Sequence, residues 1–135
     1  MGLSTHIADG ENWKTPQEGK PFIESGIIDV LQGDMRMFQI EGILEEAKMA
    51  KGTGSLIAPH NWGCEFAWYV MIHMGHVIPN YYGAEKDDGT IEVPIYEGEK
   101  YKVVDGKCEA PNAPGFGLEL KPELLNKVEI IYQFE

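Results

Sequence analysis

Ile27-Ile28-Asp29-Val30-Leu31-Gln32-Gly33-Asp34 is the stretch on which the fold turns. Its β-branched and apolar residues read as a buried strand, and Gly33 ends that strand with a carboxylate immediately beyond it. The same grammar recurs on either side. Upstream, Leu3 to Ala8 is a short, mostly apolar run ending at Asp9-Gly10-Glu11-Asn12. Downstream, Ser55-Leu56-Ile57-Ala58 ends at Pro59-His60-Asn61-Trp62, and Val77-Ile78-Pro79-Asn80-Tyr81-Tyr82 begins a further run that leads to Glu85. Helical signals lie between the runs. Pro16 stands at a plausible first-turn position of a helix over Thr15 to Ser25. Ile40, Ile43, Leu44, Ala47 and Ala50 recur at helical spacing. Phe66, Tyr69, Val70, Ile72 and His73 fill a segment from Glu65 that stops at Gly75.

Alternation of this kind predicts an α/β chain of about four β/α units with parallel strands. In a parallel barrel, residues at the C-terminal ends of successive strands converge on one mouth. Glu11, Asp34, His60 and Glu85 are therefore expected to face one another. After Glu85 the character changes. Lys86-Asp87-Asp88-Gly89 is a polar turn; Ile91 to Tyr96 and Tyr101 to Val104 are short β-prone runs punctuated by Gly98 and Asp105-Gly106. Pro111, Pro114, Gly115 and Gly117 mark a loop, and Leu118 to Phe134 offers a short helix at Pro122 to Asn126 and a final strand. The expected division is a half-barrel over residues 1–85 and a β-rich tail over 86–135 that packs elsewhere.

Composition bounds the function. At 135 residues and 43% hydrophobic content the chain can bury one core. Eleven basic residues against twenty-two acidic ones give a formal charge of -11, which repels phosphate backbones and anionic lipid. Nucleic acid and membrane are poor partners. No run approaches the roughly 18 apolar residues that span a bilayer. Cys64 and Cys108 have neither CxxC nor histidine spacing, so no zinc site or disulfide framework is expected, and a reducing, cytoplasmic setting is the default.

Ile7-Ala8-Asp9-Gly10-Glu11-Asn12, Gly33-Asp34 after an apolar strand, Ala58-Pro59-His60 and Pro114-Gly115-Phe116-Gly117 together resemble the C-terminal half of the enolase superfamily. The nearest likeness is to the mandelate racemase and muconate lactonizing branch, which includes acid-sugar dehydratases. The resemblance covers essentially the whole chain. It implies the second half of a TIM-type (β/α) barrel, with a tail that packs on a capping domain. It also implies a magnesium ion held by three carboxylates, of which Glu11 matches the last. His60 matches the family's seventh-strand acid-base histidine and Asp34 its sixth-strand aspartate partner. A carboxylate in that place fixes the imidazole tautomer and raises its proton affinity. Glu85 falls near the eighth-strand position, where a carboxylic acid hydrogen-bonds the developing enediolate. Glu65 and Asp87 lie close enough to compete for that role. Asn12 and Trp62 are the candidate substrate-binding residues.

The implied reaction removes the proton α to a carboxylate. Dehydration of a sugar acid is the first reading; racemisation or epimerisation of a 2-hydroxy acid uses the same parts. A departure bears on both. The chain begins at what looks like the fifth strand, without the cap, two metal carboxylates and the first half-barrel. A lone chain is then expected to hold magnesium weakly, to be inactive by itself, and to associate through its open edges with an N-terminal half or a second copy. A non-catalytic half-barrel serving as a structural or interaction module is the alternative from another class.

Plainer roles compete with each assignment. Glu11 after Asp-Gly could be a solvated turn residue, Asp34 a helix N-cap, and His60 a packed or surface histidine. His6, His73 and His76 have no partners at ligand spacing and read as packing or surface residues. Trp13 and Trp68 could line a pocket or fill the core.

Overall fold

The computed structural model describes residues 4–86, 96–98 and 101–126. They divide between two compact units, Met1–Thr90 and Ile91–Glu135. In the first unit the order is β1 (Ala8–Asp9), α1 (Pro16–Ser25), β2 (Val30–Leu31), α2 (Met35–Met49), β3 (Leu56–Ile57) and α3 (Glu65–Met74). The three strands form a parallel sheet in sequence order, Ala8 paired with Val30 and Val30 with Leu56. Tyr81 adds a parallel bridge to Ile57. Parallel neighbours need crossovers, and α1 and α2 supply them.

Each helix has a local cause. Pro16 enters α1 at its first turn, and Gly26 closes it in the left-handed region at φ 66, donating its N–H to the carbonyls of Phe22 and Ile23. Asp34 caps α2, its side chain accepting from the amides of Arg36 and Met37. Cys64 caps α3 by accepting from the Ala67 amide. The core beneath the sheet is Val30, Leu31, Ile43, Ile57 and Met71, all at 4% exposure or less. Burying each such side chain favours the fold by about 1.5–3 kcal/mol.

Two expectations need correction. Apolar spacing places the second helix from Ile40, yet α2 starts at Met35, and Gln39 interrupts it at φ 58, ψ -172. That break sets a first turn apart from the longer helical stretch after it. Phe38, Gly42, Ile43, Glu46 and Ala47 are buried, whereas Ile40 and Leu44 are 43% and 41% exposed. The second correction concerns Val77 to Tyr82, read as a strand. Turn hydrogen bonds run from the Val77 and Ile78 amides to the Met74 carbonyl and from the Tyr81 amide to the Ile78 carbonyl, so pairing begins at Tyr81. Pro79 has no N–H to give a ladder. The strand expected over Leu3 to Ala8 is confined, among described residues, to Ala8–Asp9.

In the second unit, β4 (Tyr96–Gly98) pairs antiparallel with β7 (Leu118–Leu120), and β5 (Val103–Val104) with β6 (Lys107–Cys108). Asp105 and Gly106, at φ 50 and 73, make the two-residue hairpin turn. The expected short helix appears as α4 (Pro122–Leu125). The polar turn from Asp87, most of the Ile91 to Tyr96 run and the final strand lie outside the described residues.

Candidate active site

Beyond the last residues of β2 and β3 the two chain segments remain zipped together. Asp34 and His60 form a parallel bridge. The His60 amide donates to the Gly33 carbonyl at 3.1 Å and the Met35 amide donates to the His60 carbonyl at 3.0 Å. This backbone exchange holds the two side chains in register on one side of the sheet.

Asp34 is 3% exposed and uses its two oxygens differently. Oδ1 accepts from the Arg36 and Met37 amides at 2.8 and 3.0 Å, while Oδ2 lies 2.7 Å from His60 Nδ1. The N-cap and the histidine partner are one residue, so these two readings of the sequence are compatible. Burial alone would raise the Asp34 pKa. The His60 ring, the amides of Met37 and Arg36 and the Arg36 guanidinium together hold it below the usual carboxylate value. An ionised carboxylate only accepts. His60 Nδ1 therefore carries a proton in this bond, and Nε2 faces the opposite side.

Two further carboxylates lie on that side. Glu11 Oε2 is 3.4 Å and Glu85 Oε2 is 4.0 Å from His60 Nε2. Glu11 follows Gly10, a buried glycine at φ +136 whose missing Cβ would come within 3.0 Å of the Gln32 backbone. The close approach of these two segments sets Glu11 beside the mouth. Glu85 is held from below, its Oε2 accepting the Asn61 amide at 2.9 Å. The side chains of Glu11 and Glu85 are 54% and 44% exposed, so both reach a wet opening.

The structure thus brings together Glu11, Asp34, His60 and Glu85. Trp62 stands next in sequence to Asn61 and is 67% exposed. Asn12 is exposed in the turn after Glu11, and no hydrogen bond joins it to the cluster among the described residues. Glu65, a rival of Glu85, accepts instead from Tyr69 within α3; Asp87 lies outside the described residues. Trp13, half-buried, stacks on Phe22 and presses on Gly19 of α1, whereas Trp68 is 5% exposed and fills the interior. Asn61 escaped the sequence reading. It is 2% exposed and grips Glu85 through its backbone amide, with its side-chain nitrogen 3.5 Å from the Glu85 carbonyl. Its place beside His60 was the available signal.

Carboxylate oxygens at a solvated mouth are the donors a hard divalent ion prefers. Glu11 fits as one such ligand. Among the described residues, however, no group of three His, Cys, Asp or Glu side chains is placed to hold a metal ion. No helix of these residues is long and apolar enough to cross a membrane.

The profile of a family described as enolase C-terminal domain-like matches residues 2–124. An L-galactonate dehydratase of Hypocrea jecorina is 27% identical over 91% of this chain and 28% of its own length. Among solved structures, a member of the enolase superfamily from Salmonella Typhimurium superposes with a TM-score of 0.79 at 26% identity, covering 93% of this chain and 33% of that one. An L-talarate dehydratase from Polaromonas sp. JS666, complexed with Mg and L-glucarate, gives a TM-score of 0.74 at 26% identity over 92% of this chain and 33% of its own. The chain spans about a third of the length of these relatives.

Proposed function

Because this chain belongs to the enolase C-terminal domain-like family, within the enolase superfamily, we propose that it is the C-terminal catalytic portion of a magnesium-dependent acid-sugar dehydratase. The observation that carries the proposal is the two-sided setting of His60. Its Nδ1 is fixed by Asp34 at 2.7 Å and its Nε2 is turned toward Glu11 and Glu85. Relatives named as dehydratases of L-galactonate and L-talarate favour dehydration over racemisation or epimerisation of a 2-hydroxy acid.

In this reading the substrate is a small sugar acid. His60 Nε2 exchanges a proton with substrate: as a base it takes the hydrogen α to the carboxylate, leaving the bonding electrons in an enediolate. In its protonated form it delivers a proton to the departing β-hydroxyl, which leaves as water. Asp34 keeps the ring in one tautomer and offsets the imidazolium charge. Glu85, anchored by Asn61, hydrogen-bonds the enediolate oxygen when protonated. Trp62 and Asn12 border the opening as substrate contacts. Glu11 would be one magnesium ligand, and the chemistry a bound magnesium supplies is stabilisation of negative charge on the carboxylate oxygens.

We further read residues 1–85 as about four β/α units of a TIM-type barrel, and residues 86–135 as a tail that completes a cap. The remaining metal ligands then come from an N-terminal half or a partner chain. Magnesium titration calorimetry on the chain, alone and with an N-terminal complement, tests this. Binding and sugar-acid turnover in the mixture are expected. A stable oligomer with neither would favour a non-catalytic module.

A further inference from the structure

Glu46 sits on the buried face of α2 at 0% exposure, and neither carboxyl oxygen completes a hydrogen bond among the described residues. Its Oε2 lies 3.0 Å from where a Gly33 Cβ would stand, and the Phe38 ring lies 2.4 Å from the same point. Gly33 is therefore clasped from behind by a carboxyl and an aromatic ring. On its other side the Gly33 carbonyl accepts the His60 amide, and the next residue is Asp34. One peptide separates the Glu46 carboxyl from the backbone of the acid-base pair.

An apolar side chain of similar length would fill this space without leaving a buried polar group unpaired. Packing alone does not account for a carboxyl here. The Gly33 amide is the polar group that acts on it, opposing the rise in pKa that burial imposes. We propose that Glu46 is a positioning residue: its carboxyl props the Gly33 peptide from behind and so fixes the strand end from which Asp34 reaches His60. The inference rests on reading Asp34 and His60 as the acid-base pair.

The test uses the isotope-labelled full chain and its Glu46→Met, Glu46→Gln and Glu46→Asp variants. Three quantities are read by NMR and chemical denaturation: Gly33 amide exchange relative to the β2 and β3 core, the His60 ring tautomer from its nitrogen shifts, and global stability. Glu46→Met should match or exceed wild-type stability. It should nevertheless speed Gly33 exchange about tenfold, because the polar contact behind that peptide is gone, and turn a single Nδ1–H tautomer into a mixture. Glu46→Gln keeps an acceptor oxygen in place and should preserve both signals.

Unchanged Gly33 exchange and tautomer in Glu46→Met would overturn the proposal. So would losses in every variant that merely track global stability. If Glu46→Met does not fold, Glu46→Asp decides, because it withdraws the carboxyl by one methylene: loss of both signals is expected, and retention overturns the role. A wild-type His60 that is already a tautomer mixture would refute the pair itself. An ordered pair in a catalytically silent enzyme would refute the reaction while leaving Glu46 its role.

Discussion

The strand mouth around Asp34 and the helix interior around Glu46 handle a buried carboxyl in opposite ways. Asp34 meets two amides, a histidine and an arginine, and its charge is stabilised. Glu46 meets the Gly33 amide and little else, and burial pushes its pKa up to about 7. Both belong to the β2–α2 segment. The contrast teaches that burial raises the pKa of an acid and that donors within reach can more than offset it. At the mouth, a fixed negative charge orients a base. Behind it, an acid whose pKa is pushed up to about 7 lies against the backbone of the strand end.

The sharpest break in this comparison comes from removing the mouth's chemistry while keeping its architecture. His60→Asn and Asp34→Asn should each lower sugar-acid turnover about 10²–10⁴-fold in the magnesium-loaded, complemented enzyme, the range of one acid-base group. The effect should fall on kcat. Asp34→Asn retains an oxygen to cap α2, so its denaturation midpoint should stay near that of the wild type. Steady-state kinetics paired with urea denaturation separates the two effects. A tenfold or smaller loss of activity would make the pair structural.

The pH dependence of stability is next in size. Unfolded Glu46 releases its proton near 4.5, whereas the folded protein keeps it to about 7. The unfolded state is then the better acid, so stability falls as pH rises from about 4.5 to 7 and levels off above that. The full penalty is up to about 3 kcal/mol at 1.36 kcal/mol per pKa unit. Asp34 acts in the other direction: its lowered pKa contributes stability above its ordinary value of 3.8 that is lost on further acidification. Denaturation at a series of pH values should show the fall between 4.5 and 7 in the wild type and its absence in Glu46→Gln. A flat wild-type profile would contradict the contrast.

Smaller effects sharpen the boundary between the two regions. Asp34→Ala removes the cap as well as the histidine partner and should cost about 1–2 kcal/mol more stability than Asp34→Asn. Gln39→Gly should stabilise the chain by about 1 kcal/mol, because φ 58 with ψ -172 is a conformation that glycine adopts far more readily. Thermal or urea unfolding measures both. A destabilised Gln39→Gly would mean that the Gln39 side chain is needed where it stands.

The contrast between the two carboxyls extends to what could be read from residues alone. Glu11, Asp34 and His60 were legible because each follows an apolar run, and strand order carries such residues to one end of a sheet. Glu46 was not. Counting 100° per residue from Ile40 puts Leu44 inside, but the buried face is that of Ile43, Ala47 and Ala50, on which Glu46 lies and from which Leu44 turns away. A carboxyl set among apolar residues on one helix face does not register in an apolar pattern. Asn61 was hidden for a different reason: its grip on Glu85 runs through a main-chain amide that every non-proline residue has. Strand extent was overstated at Val77 to Asn80, where β-prone residues fold into successive turns.

Exchange of the substrate's α-hydrogen tests the central claim most directly, since it reports proton removal before water is lost. A sugar acid such as L-galactonate is incubated in heavy water with magnesium and the complemented chain, and deuterium at the carbon next to the carboxylate is followed by NMR. Incorporation into substrate or the detection of dehydrated product with the wild type, and neither with His60→Asn, is the predicted result. Proton removal that continues undiminished in His60→Asn would contradict the account.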